Sequence, residues 1–485
     1  TTTQNHQTPS INNLPTIPKL ELYTKAIKLN PDNTLSSKES ETFSTLLKEY
    51  DEVFNPRISQ YNGKSGPCFV EVNMGKTLPP QRKGRIPFYG SSSLQELQDR
   101  IDELAEKGVF GRPQELGVTV ENVSPSFLVR KPSNPLQKRL VTDFGSIAPY
   151  CRPTPSLMPK IESVLLKVAS WKHIITTDLT EAYYQLPLRK SSMKYCGIVS
   201  PFKGLFVYRV GCMGLPGVEV ALEELTCRIF GDLVQLGVMA KVADDIYIGG
   251  STIAELHNNF KIVLHRLKDN NLKLSARKTA IAPKEVNILG WIWSAGKIRA
   301  SPHKLAGLSE CKPPSTVSAM RAFIGAYRFL SRVLKGYASI LAPLEKAVAG
   351  NKSGKDEIQW TDTLTEAFQG AQSALKDNRT LTVPKPDDTL WIVTDASVQP
   401  GAVGATLYSV RDGQPKLSEF FNVKLPEFQQ RWLPCEVEGI AIGAALHHFA
   451  PYIIQSNTKP HVLSDSKPCV EAAQKLKKRS ILIKC

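Results

Sequence analysis

The pattern of apolar and polar positions changes along the chain. Between residues 41 and 300, short β-branched runs such as KHIITTDL and GVMAKVADDIYIGG alternate with stretches of helical period such as SLQELQDRIDELAEKGVFG. From residue 301 helical stretches dominate, and from about residue 389 strand-like runs and helices alternate again. This order predicts an α+β domain with a mixed or antiparallel sheet, then a helical region, then an α/β domain.

Two further stretches carry local predictions. Residues 1–40 are rich in Thr, Asn, Pro and Ser with little periodicity, which predicts a flexible leader. Pro314 and a cap at Ser315 predict the start of a helix. Its apolar residues recur on one face, which is expected to face the core, at Met320, Phe323, Ile324, Tyr327 and Leu334.

Adjacent aspartates interrupt the apolar run AKVADDIYIGG. Burying Asp244 and Asp245 side by side is costly, because like charges repel and lose hydration, so the pair needs a counter-charge such as a divalent cation. Asp178 ends the apolar run of KHIITTDL and is the best third ligand. Three acids fit Mg²⁺, which prefers few carboxylates together with substrate phosphates. A lone pair of aspartates is more often a solvated turn, and the motifs around the pair decide between the two interpretations.

Composition narrows the class of partner. Lys and Arg number 61 against 45 Asp and Glu, a formal charge of +16, which suits a polyanion and makes nucleic acid the first expectation. The cysteines are scattered without a CxxC pair, which argues against a zinc knuckle or a disulfide framework. No apolar run approaches the ~20 residues of a membrane span, so we expect a soluble protein with no membrane partner.

The order of motifs resembles a known family. A strand ending in Asp178, the aromatic pair Tyr183-Tyr184, the glycine-rich GCMGLPG and a hairpin with two acids resemble the palm motifs of reverse transcriptases. The stretch RAFIGAYRFLSRVLKGYASILAPLEKAV resembles the corresponding run of gypsy-type LTR retrotransposon polymerases. The likeness extends from about Glu41 to Asp465 and implies a right-hand polymerase with fingers, palm and thumb, followed by a partial α/β ribonuclease H-like domain.

The resemblance implies domain boundaries. They are a flexible leader at 1–40, fingers and palm at 41–300, a helical thumb at 301–350, a connecting segment at 351–388, and a ribonuclease H-like domain at 389–485 that is truncated at its carboxyl end.

The resemblance also implies roles for individual residues. Asp178, Asp244 and Asp245 would bind two Mg²⁺ ions, with Mn²⁺ as a substitute. Lys131 and Arg139 would hold the incoming triphosphate, and Tyr183 would lie beneath the sugar and exclude a 2′-hydroxyl. The alternatives are ordinary surface charge for the two cations and a core position for the tyrosine.

Some positions depart from the family pattern. Val242 replaces the Tyr of the usual YxDD, Gly145 and Ala148 replace an Arg and an Asn, and MGLPGVE replaces FGLxNAP. The metal ligands survive these departures, whereas the primer contact of the missing Tyr, the nucleotide affinity and the fidelity of the family do not carry over.

A second set of acids lies in the last domain. Asp395 in TDAS, Glu438 in EVEGIAIGAAL and Asp465 in LSDS resemble the two-metal site of ribonuclease H. Glu436 competes with Glu438; we prefer Glu438, because the resemblance implies a catalytic Glu directly before an apolar run, here GIAI. A fourth carboxylate is expected beyond Asp465, but only Glu471 follows, and too soon; we therefore expect an incomplete domain.

These features predict an RNA- and DNA-directed DNA polymerase of a retrotransposon, which adds deoxynucleotides to a primer 3′-hydroxyl and carries a ribonuclease H domain for RNA–DNA hybrids. The expected partners are an RNA or DNA template with its primer, dNTPs, and the protease and integrase of a parent polyprotein, in cytoplasmic virus-like particles. The alternatives are a catalytically decayed nucleic-acid-binding relic and a structural subunit of a reverse transcriptase.

Overall fold

The computed structural model describes residues 21–80, 86–131, 134–350, 353–376, 379–397, 401–426 and 428–478. The α-helices, numbered in chain order, are α1 (Ser37–Glu49), α2 (Ser91–Glu106), α3 (Pro113–Leu116), α4 (Ile161–Ala169), α5 (Lys190–Met193), α6 (Val218–Gln235), α7 (Ile253–Asp269), α8 (Pro302–Ser309), α9 (Val317–Arg328), α10 (Tyr337–Ala347), α11 (Asp362–Ala374), α12 (Pro434–His448), α13 (Ala450–Gln455) and α14 (Lys467–Lys478).

The strands are β1 (Lys28–Leu29), β2 (Phe110–Gly111), β3 (Ser126–Lys131), β4 (Asn134–Thr142), β5 (His173–Asp178), β6 (Gly197–Ser200), β7 (Gly204–Tyr208), β8 (Met239–Val242), β9 (Asp245–Gly250), β10 (Ala280–Ile281), β11 (Val286–Ile288), β12 (Trp291–Ser294), β13 (Lys297–Ala300), β14 (Leu381–Thr382), β15 (Thr389–Ser397), β16 (Ala402–Arg411), β17 (Gln414–Lys424) and β18 (His461–Leu463).

A five-stranded sheet forms the centre of the amino-terminal domain, with the strand order β1-β10-β5-β9-β8. β1 and β10 are parallel, and the other neighbouring pairs are antiparallel. The mixed sheet agrees with the sequence prediction. Helices α6 and α7 contribute fully buried side chains such as Phe230 and Phe260, because their apolar residues recur on one face.

The predicted leader of 1–40 is too long. Residues 28 and 29 pair with Ala280 and Ile281 as an edge strand of the central sheet, and α1 already begins at Ser37. The polar composition concealed this segment, because a two-residue strand has no periodicity to detect. Side-chain hydrogen bonds also order the polar residues here; for example, Thr24 Oγ1 donates to Asp51 Oδ1 at 2.7 Å.

The helical region departs from its prediction at both ends of α9. Thr316, and not Ser315, caps the helix, because its side chain accepts the N–H of Ala319 at 3.3 Å. The carbonyl of Ser315 instead accepts the N–H of Ile358 at 2.9 Å, so that residue belongs to an extended segment. Leu334 is buried as expected, but it lies beyond the end of the helix.

The predicted connecting segment 351–388 packs as part of the helical region. Phe368 on α11 lies against Phe323 on α9, with ring centroids 4.9 Å apart, inside one hydrophobic cluster. β14 also pairs with β13 and so extends the four-stranded sheet β11-β12-β13-β14. The boundary at residue 350 therefore does not separate two packing units.

The carboxy-terminal domain has the strand order β17-β16-β15-β18, in which β15 and β18 are parallel. Helix α12 packs on this sheet through Val437 and Ala441. Leu166 on α4 belongs to the same hydrophobic cluster as Leu390 and Phe449, so the domain also packs against the amino-terminal domain.

A buried carboxylate joins this domain to the helical region. Glu419 on β17 is 3% exposed and lies 3.6 Å from the guanidinium of Arg332, which follows α9 in a 3-10 turn. His448 Nε2 lies 3.0 Å from Glu419 Oε1, and the Tyr452 hydroxyl donates to Oε2 at 2.9 Å. Burial opposes the charged form, yet the charge of Arg332 and these hydrogen bonds hold the pKa of Glu419 below its usual value.

Replacing Glu419 by Ala should lower the free energy of unfolding by about 3–5 kcal/mol, because it removes the acid of a buried ion pair and the hydrogen-bond partner of His448. Urea denaturation at pH 7 measures the effect. Glu285→Ala is the control: its ion pair with Arg299 is half-exposed, and such pairs contribute about 0–1 kcal/mol. Equal losses for the two variants would contradict the role assigned to Glu419.

In the ranges that the structure describes, no helix combines the length and apolar character required to cross a bilayer.

Candidate catalytic carboxylate sites

The central sheet brings the first three aspartates together. Asp178 ends β5 and stands directly opposite Asp245, the first residue of the antiparallel strand β9. Side chains directly opposite in adjacent antiparallel strands have Cβ atoms about 5 Å apart. Asp244 lies in the tight turn between β8 and β9, and its carbonyl accepts the N–H of Leu179 at 3.2 Å. Residues separated by more than sixty positions in sequence therefore meet at one strand end.

Asp178 is the most strongly perturbed acid of this cluster. It is 2% exposed, and burial raises its pKa to about 6, with the charges of Asp244 and Asp245 adding to the rise and Lys278 opposing it. Asp245 is exposed, but partial desolvation of its carboxylate and the charge of Asp244 raise its pKa as well. The two acids that stand opposite each other are thus harder to ionise than free aspartates.

Lys278 supplies part of the compensating charge, and the sequence analysis did not identify it. Its ammonium donates to Asp178 Oδ2 from a 3-10 turn, Ala276–Lys278, which is tied to the end of β5 by the Ser275 N–H donating to the Asp178 carbonyl at 2.9 Å. The acids raise the pKa of Lys278, although burial opposes them. The local signal is a basic residue two positions before the apolar pair Ala280-Ile281, but only the pairing of β10 with β5 shows where it lies.

The carboxylate oxygens of this cluster are the type of ligand that a hard divalent metal ion prefers. Asp178 Oδ1 is buried without a hydrogen-bond partner, and an orphaned carboxylate oxygen among other acids suits a hard cation. A cavity of about 300 Å³, lined in part by Asp178, Asp245 and Lys278, adjoins the cluster. As the described side chains stand, no group of three His, Cys, Asp or Glu residues is arranged to hold a metal ion. Lys278 occupies Oδ2 of Asp178 and leaves Oδ1 without a partner.

Tyr183 lies beside the same cluster. It occupies a 3-10 turn that follows β5 and is half-buried; burial raises its pKa, and the charges of Glu219, Asp244 and Glu223 add to the rise. The glycine-rich segment permits this packing, because a Cβ on Gly211 would lie 2.9 Å from the Tyr183 carbonyl oxygen. A second glycine of this segment, Gly217, caps α6 with a φ of +86°.

The structure says less about Arg139 and Lys131, the two residues predicted to bind the triphosphate. Arg139 lies on β4 opposite Val129, and its Nε is buried without a hydrogen-bond partner. The side chain of Lys131 lies outside the described residues. No contact described for Arg139 joins it to the aspartate cluster, so its role stays a prediction.

The second set of acids also converges. Asp395 lies near the end of β15, Asp465 follows the parallel neighbour β18, and Glu438 lies on α12, which packs across this sheet. Burial raises the pKa of Glu438, and the charges of Asp465 and Asp395 add to the rise. Glu438 is 9% exposed and its Oε2 has no hydrogen-bond partner. Like Oδ1 of Asp178, it is a buried carboxylate oxygen without a hydrogen-bond partner.

The structure distinguishes Glu438 from its neighbours. Glu436 accepts the N–H of Leu433 at 2.9 Å and so caps the start of α12. Glu471 lies on α14 within 3.9 Å of Lys467. Glu438 is thus the helical acid that faces Asp395 and Asp465. A cleft of about 720 Å³ opens beside these two aspartates, with Lys335 from the helical region in its wall.

Two protein-family models match the chain in this order. Residues 123–293 match "Reverse transcriptase (RNA-dependent DNA polymerase)", and residues 360–460 match "RNase H-like domain found in reverse transcriptase". The first range contains Asp178, Asp244 and Asp245, and the second contains Asp395 and Glu438.

Curated relatives span most of this chain. A retrovirus-related Pol polyprotein from transposon opus of Drosophila melanogaster is 25% identical over 450 residues, which cover 90% of this chain and 43% of that protein. The transposon Tf2-3 polyprotein of Schizosaccharomyces pombe is 23% identical over 455 residues, 90% of this chain and 33% of that protein. The chain therefore spans less than half the length of these relatives.

Solved structures share the fold. A foamy viral protease-reverse transcriptase in complex with double-stranded DNA is 18% identical, with a TM-score of 0.78 over 98% of this chain and 79% of that one. Another structure of this viral protein with double-stranded DNA gives 19% identity and a TM-score of 0.77, over 94% of this chain and 90% of that one. These matches support the right-hand polymerase fold with an appended domain. By its family matches, the chain carries a reverse transcriptase domain at residues 123–293 and an RNase H-like domain at residues 360–460, and the curated relatives that it resembles are retrotransposon polyproteins.

Proposed function

We propose that this chain is an RNA-directed and DNA-directed DNA polymerase, which transfers nucleotides from dNTPs to a primer 3′-hydroxyl. The observation that carries the proposal is the register of β5 and β9, in which Asp178 stands opposite Asp245 with Asp244 in the adjoining turn. Carboxylates contributed by separate strands are what a two-metal phosphoryl-transfer site requires.

In this proposal Asp178, Asp244 and Asp245 hold the metals. When bound, paired Mg²⁺ ions, or Mn²⁺ in their place, supply activation of the attacking hydroxyl and neutralisation of the triphosphate charge. Lys278 neutralises Asp178 before binding, which lowers the repulsion within the cluster.

The remaining residues orient the substrates. Tyr183 supports the deoxyribose from its position beside Asp244, and a ring beneath the sugar leaves no room for a 2′-hydroxyl. Arg139 and Lys131 orient the triphosphate by charge-assisted hydrogen bonds. The chain has 61 basic and 45 acidic residues, and the excess of positive charge binds the phosphate backbones of template and primer without reading their sequence. The affinity for nucleic acid should therefore fall steeply as the salt concentration rises.

We also propose hydrolysis of the RNA strand of an RNA–DNA hybrid at the second cluster. The proximity of Glu438 to Asp395 and Asp465, and its orphaned Oε2, favour this activity. These acids would hold the metals that activate the attacking water. The cleft beside Asp395 offers space for one strand of a bound duplex.

The likeness to Pol polyproteins supports a biological setting. We propose that the chain is part of a gypsy-type LTR element, is made together with a protease and an integrase, and acts on template and primer inside cytoplasmic virus-like particles. The proposed domain limits are those given by the sequence, with the leader shortened and residues 351–388 joined to the helical region.

Primer extension tests the polymerase activity. The native chain, given Mg²⁺, dNTPs and a DNA primer annealed to an RNA template, should produce full-length DNA, and a DNA template should serve as well. Chelation of the metal should stop the reaction. Absence of extension under conditions where a related reverse transcriptase works would favour a nucleic-acid-binding relic or a structural subunit instead.

A further inference from the structure

A buried ion pair lies directly behind the turn that carries Asp244. Glu223 on α6 and Lys241 on β8 are in contact, and their side chains are only 2% and 6% exposed. A buried pair is weak evidence for stability, because the desolvation of two charges offsets most of their attraction. Its position suggests a role other than stabilising the fold.

The second oxygen of Glu223 reaches the turn itself. Its Oε1 accepts the backbone N–H of Ala243 at 3.2 Å, while Oε2 binds the ammonium of Lys241. Ala243 has a φ of +53°, which is unfavourable for any residue with a Cβ and is usually left to glycine in a tight hairpin. The hydrogen bond from its amide therefore helps to hold a strained peptide.

The other side of the turn is held as well. The carbonyl of Asp244 accepts the N–H of Leu179, the residue that follows Asp178. The segment from Ala243 to Asp244 is thus fixed between α6 on one side and the end of β5 on the other. The direction of the Asp244 carboxylate depends on both attachments.

We propose that Glu223 is a positioning residue for Asp244, acting through the Ala243 amide, and that Lys241 is the counter-charge that keeps the Glu223 carboxylate in place. The inference rests on the proposed polymerase function, which it deepens. Because both side chains are almost fully buried, the pair acts on the direction in which a metal ligand points.

Two matched double variants separate positioning from packing. Glu223→Gln with Lys241→Gln removes both charges but retains an acceptor for the Ala243 amide. Glu223→Leu with Lys241→Met also removes both charges and retains apolar packing, but offers the amide no acceptor. In both variants no unpaired buried charge is left.

The measurements are kcat and KM for dNTP in primer extension, the Kd for Mn²⁺ by electron paramagnetic resonance without substrate, and the Tm. The variant Glu223→Gln with Lys241→Gln, the amide pair, should retain a kcat within about threefold of that of the native chain. The variant Glu223→Leu with Lys241→Met, the apolar pair, should lose about 10- to 100-fold in kcat and in Mn²⁺ affinity, with KM nearly unchanged, because small displacements of a metal ligand have effects of that size.

A second buried pair provides the control. Arg411 and Asp388 lie in the carboxy-terminal domain, where Asp388 is 4% exposed, and Asp388→Leu with Arg411→Met should leave polymerase kcat and Mn²⁺ affinity unchanged. Unchanged kcat and Mn²⁺ affinity in the apolar Glu223–Lys241 variant would overturn the proposal and make that pair purely structural.

Hydrogen exchange keeps the inference testable if the apolar pair does not fold. In ¹⁵N-alanine-labelled native chain and in the amide pair, the Ala243 amide should be protected by at least about 100-fold. An unprotected amide in the native chain would overturn the proposal. If the native chain extends no primer, the polymerase function fails, whereas Mn²⁺ affinity and exchange still decide whether Glu223 positions the turn.

Discussion

Asp178→Asn is expected to abolish primer extension and, in the metal-free protein, to increase stability at neutral pH. Activity should fall by about 10³-fold or more, because the substitution removes a charged ligand from the centre of the reaction. Steady-state extension on an RNA template measures this loss. Retention of more than about a tenth of native activity would remove Asp178 from the site.

The gain in stability has a defined pH range. The pKa of Asp178 rises from 3.8 to about 6 on folding, so its contribution to stability is fully present below pH 3.8 and is lost as the pH rises through about 6. A neutral amide does not suffer this loss. Asp178→Asn should therefore exceed the native chain by about 1–3 kcal/mol above pH 6 and by little near pH 4.

Asp232→Asn is the matched control. Hydrogen bonding to Arg266 lowers the pKa of Asp232 to about 2, so its contribution is present at neutral pH and is lost as the pH falls through about 2. The control should lose some stability at pH 7, where Asp178→Asn gains it, and should retain polymerase activity. Urea denaturation from pH 4 to pH 8 in the presence of a chelator measures the free energy of unfolding of both variants. A change of the same sign at pH 7 in both would contradict the conclusion that burial of the Asp178 carboxylate destabilises the metal-free protein.

Glu438→Gln should lower the rate at which this chain hydrolyses RNA–DNA hybrids by about 10³-fold, while primer extension stays intact. The amide removes the charge that Asp395 and Asp465 repel and that a metal would need. Because burial and these neighbours raise the pKa of Glu438, neutralising it should also stabilise the metal-free domain at pH 7. Cleavage of a labelled hybrid and thermal unfolding report the two effects.

Glu436→Gln is the control on the same helix. Glutamine can accept the Leu433 N–H as glutamate does, so the helix cap survives and hydrolysis should be unaffected. Loss of cleavage in Glu436→Gln with retention in Glu438→Gln would reverse the assignment. If the native chain cleaves no hybrid, the domain would instead extend the duplex-binding surface.

The sequence alone was sufficient to predict which acids lie at or near the ends of strands. Apolar runs terminated by Asp178 or Asp395 have a local signal, and the resemblance supplied the order in which they combine. The choice of Glu438 over Glu436 depended on the resemblance, which implies a catalytic Glu directly before an apolar run, here GIAI. The mixed central sheet also followed from the alternation of strand and helix patterns.

Partners that are set only by long-range pairing could not be predicted. Lys278 approaches Asp178 because β10 returns beside β5, and Glu223 reaches Ala243 because α6 packs behind the hairpin. Neither contact leaves a periodic trace in the sequence. Glu419 was missed for the same reason, since a single acid within a strand gives no sign that it is buried against another domain.

The attachment of β1 beside β10 limits how far the amino-terminal segment can be shortened. A variant that lacks the chain up to Leu29 would lose the outer neighbour of the strand that follows Lys278, and the carbonyl of Thr279 would lose the N–H of Lys28 that it accepts at 3.0 Å. A shortened chain must therefore retain Lys28 and Leu29 if the counter-charge of Asp178 is to keep its place.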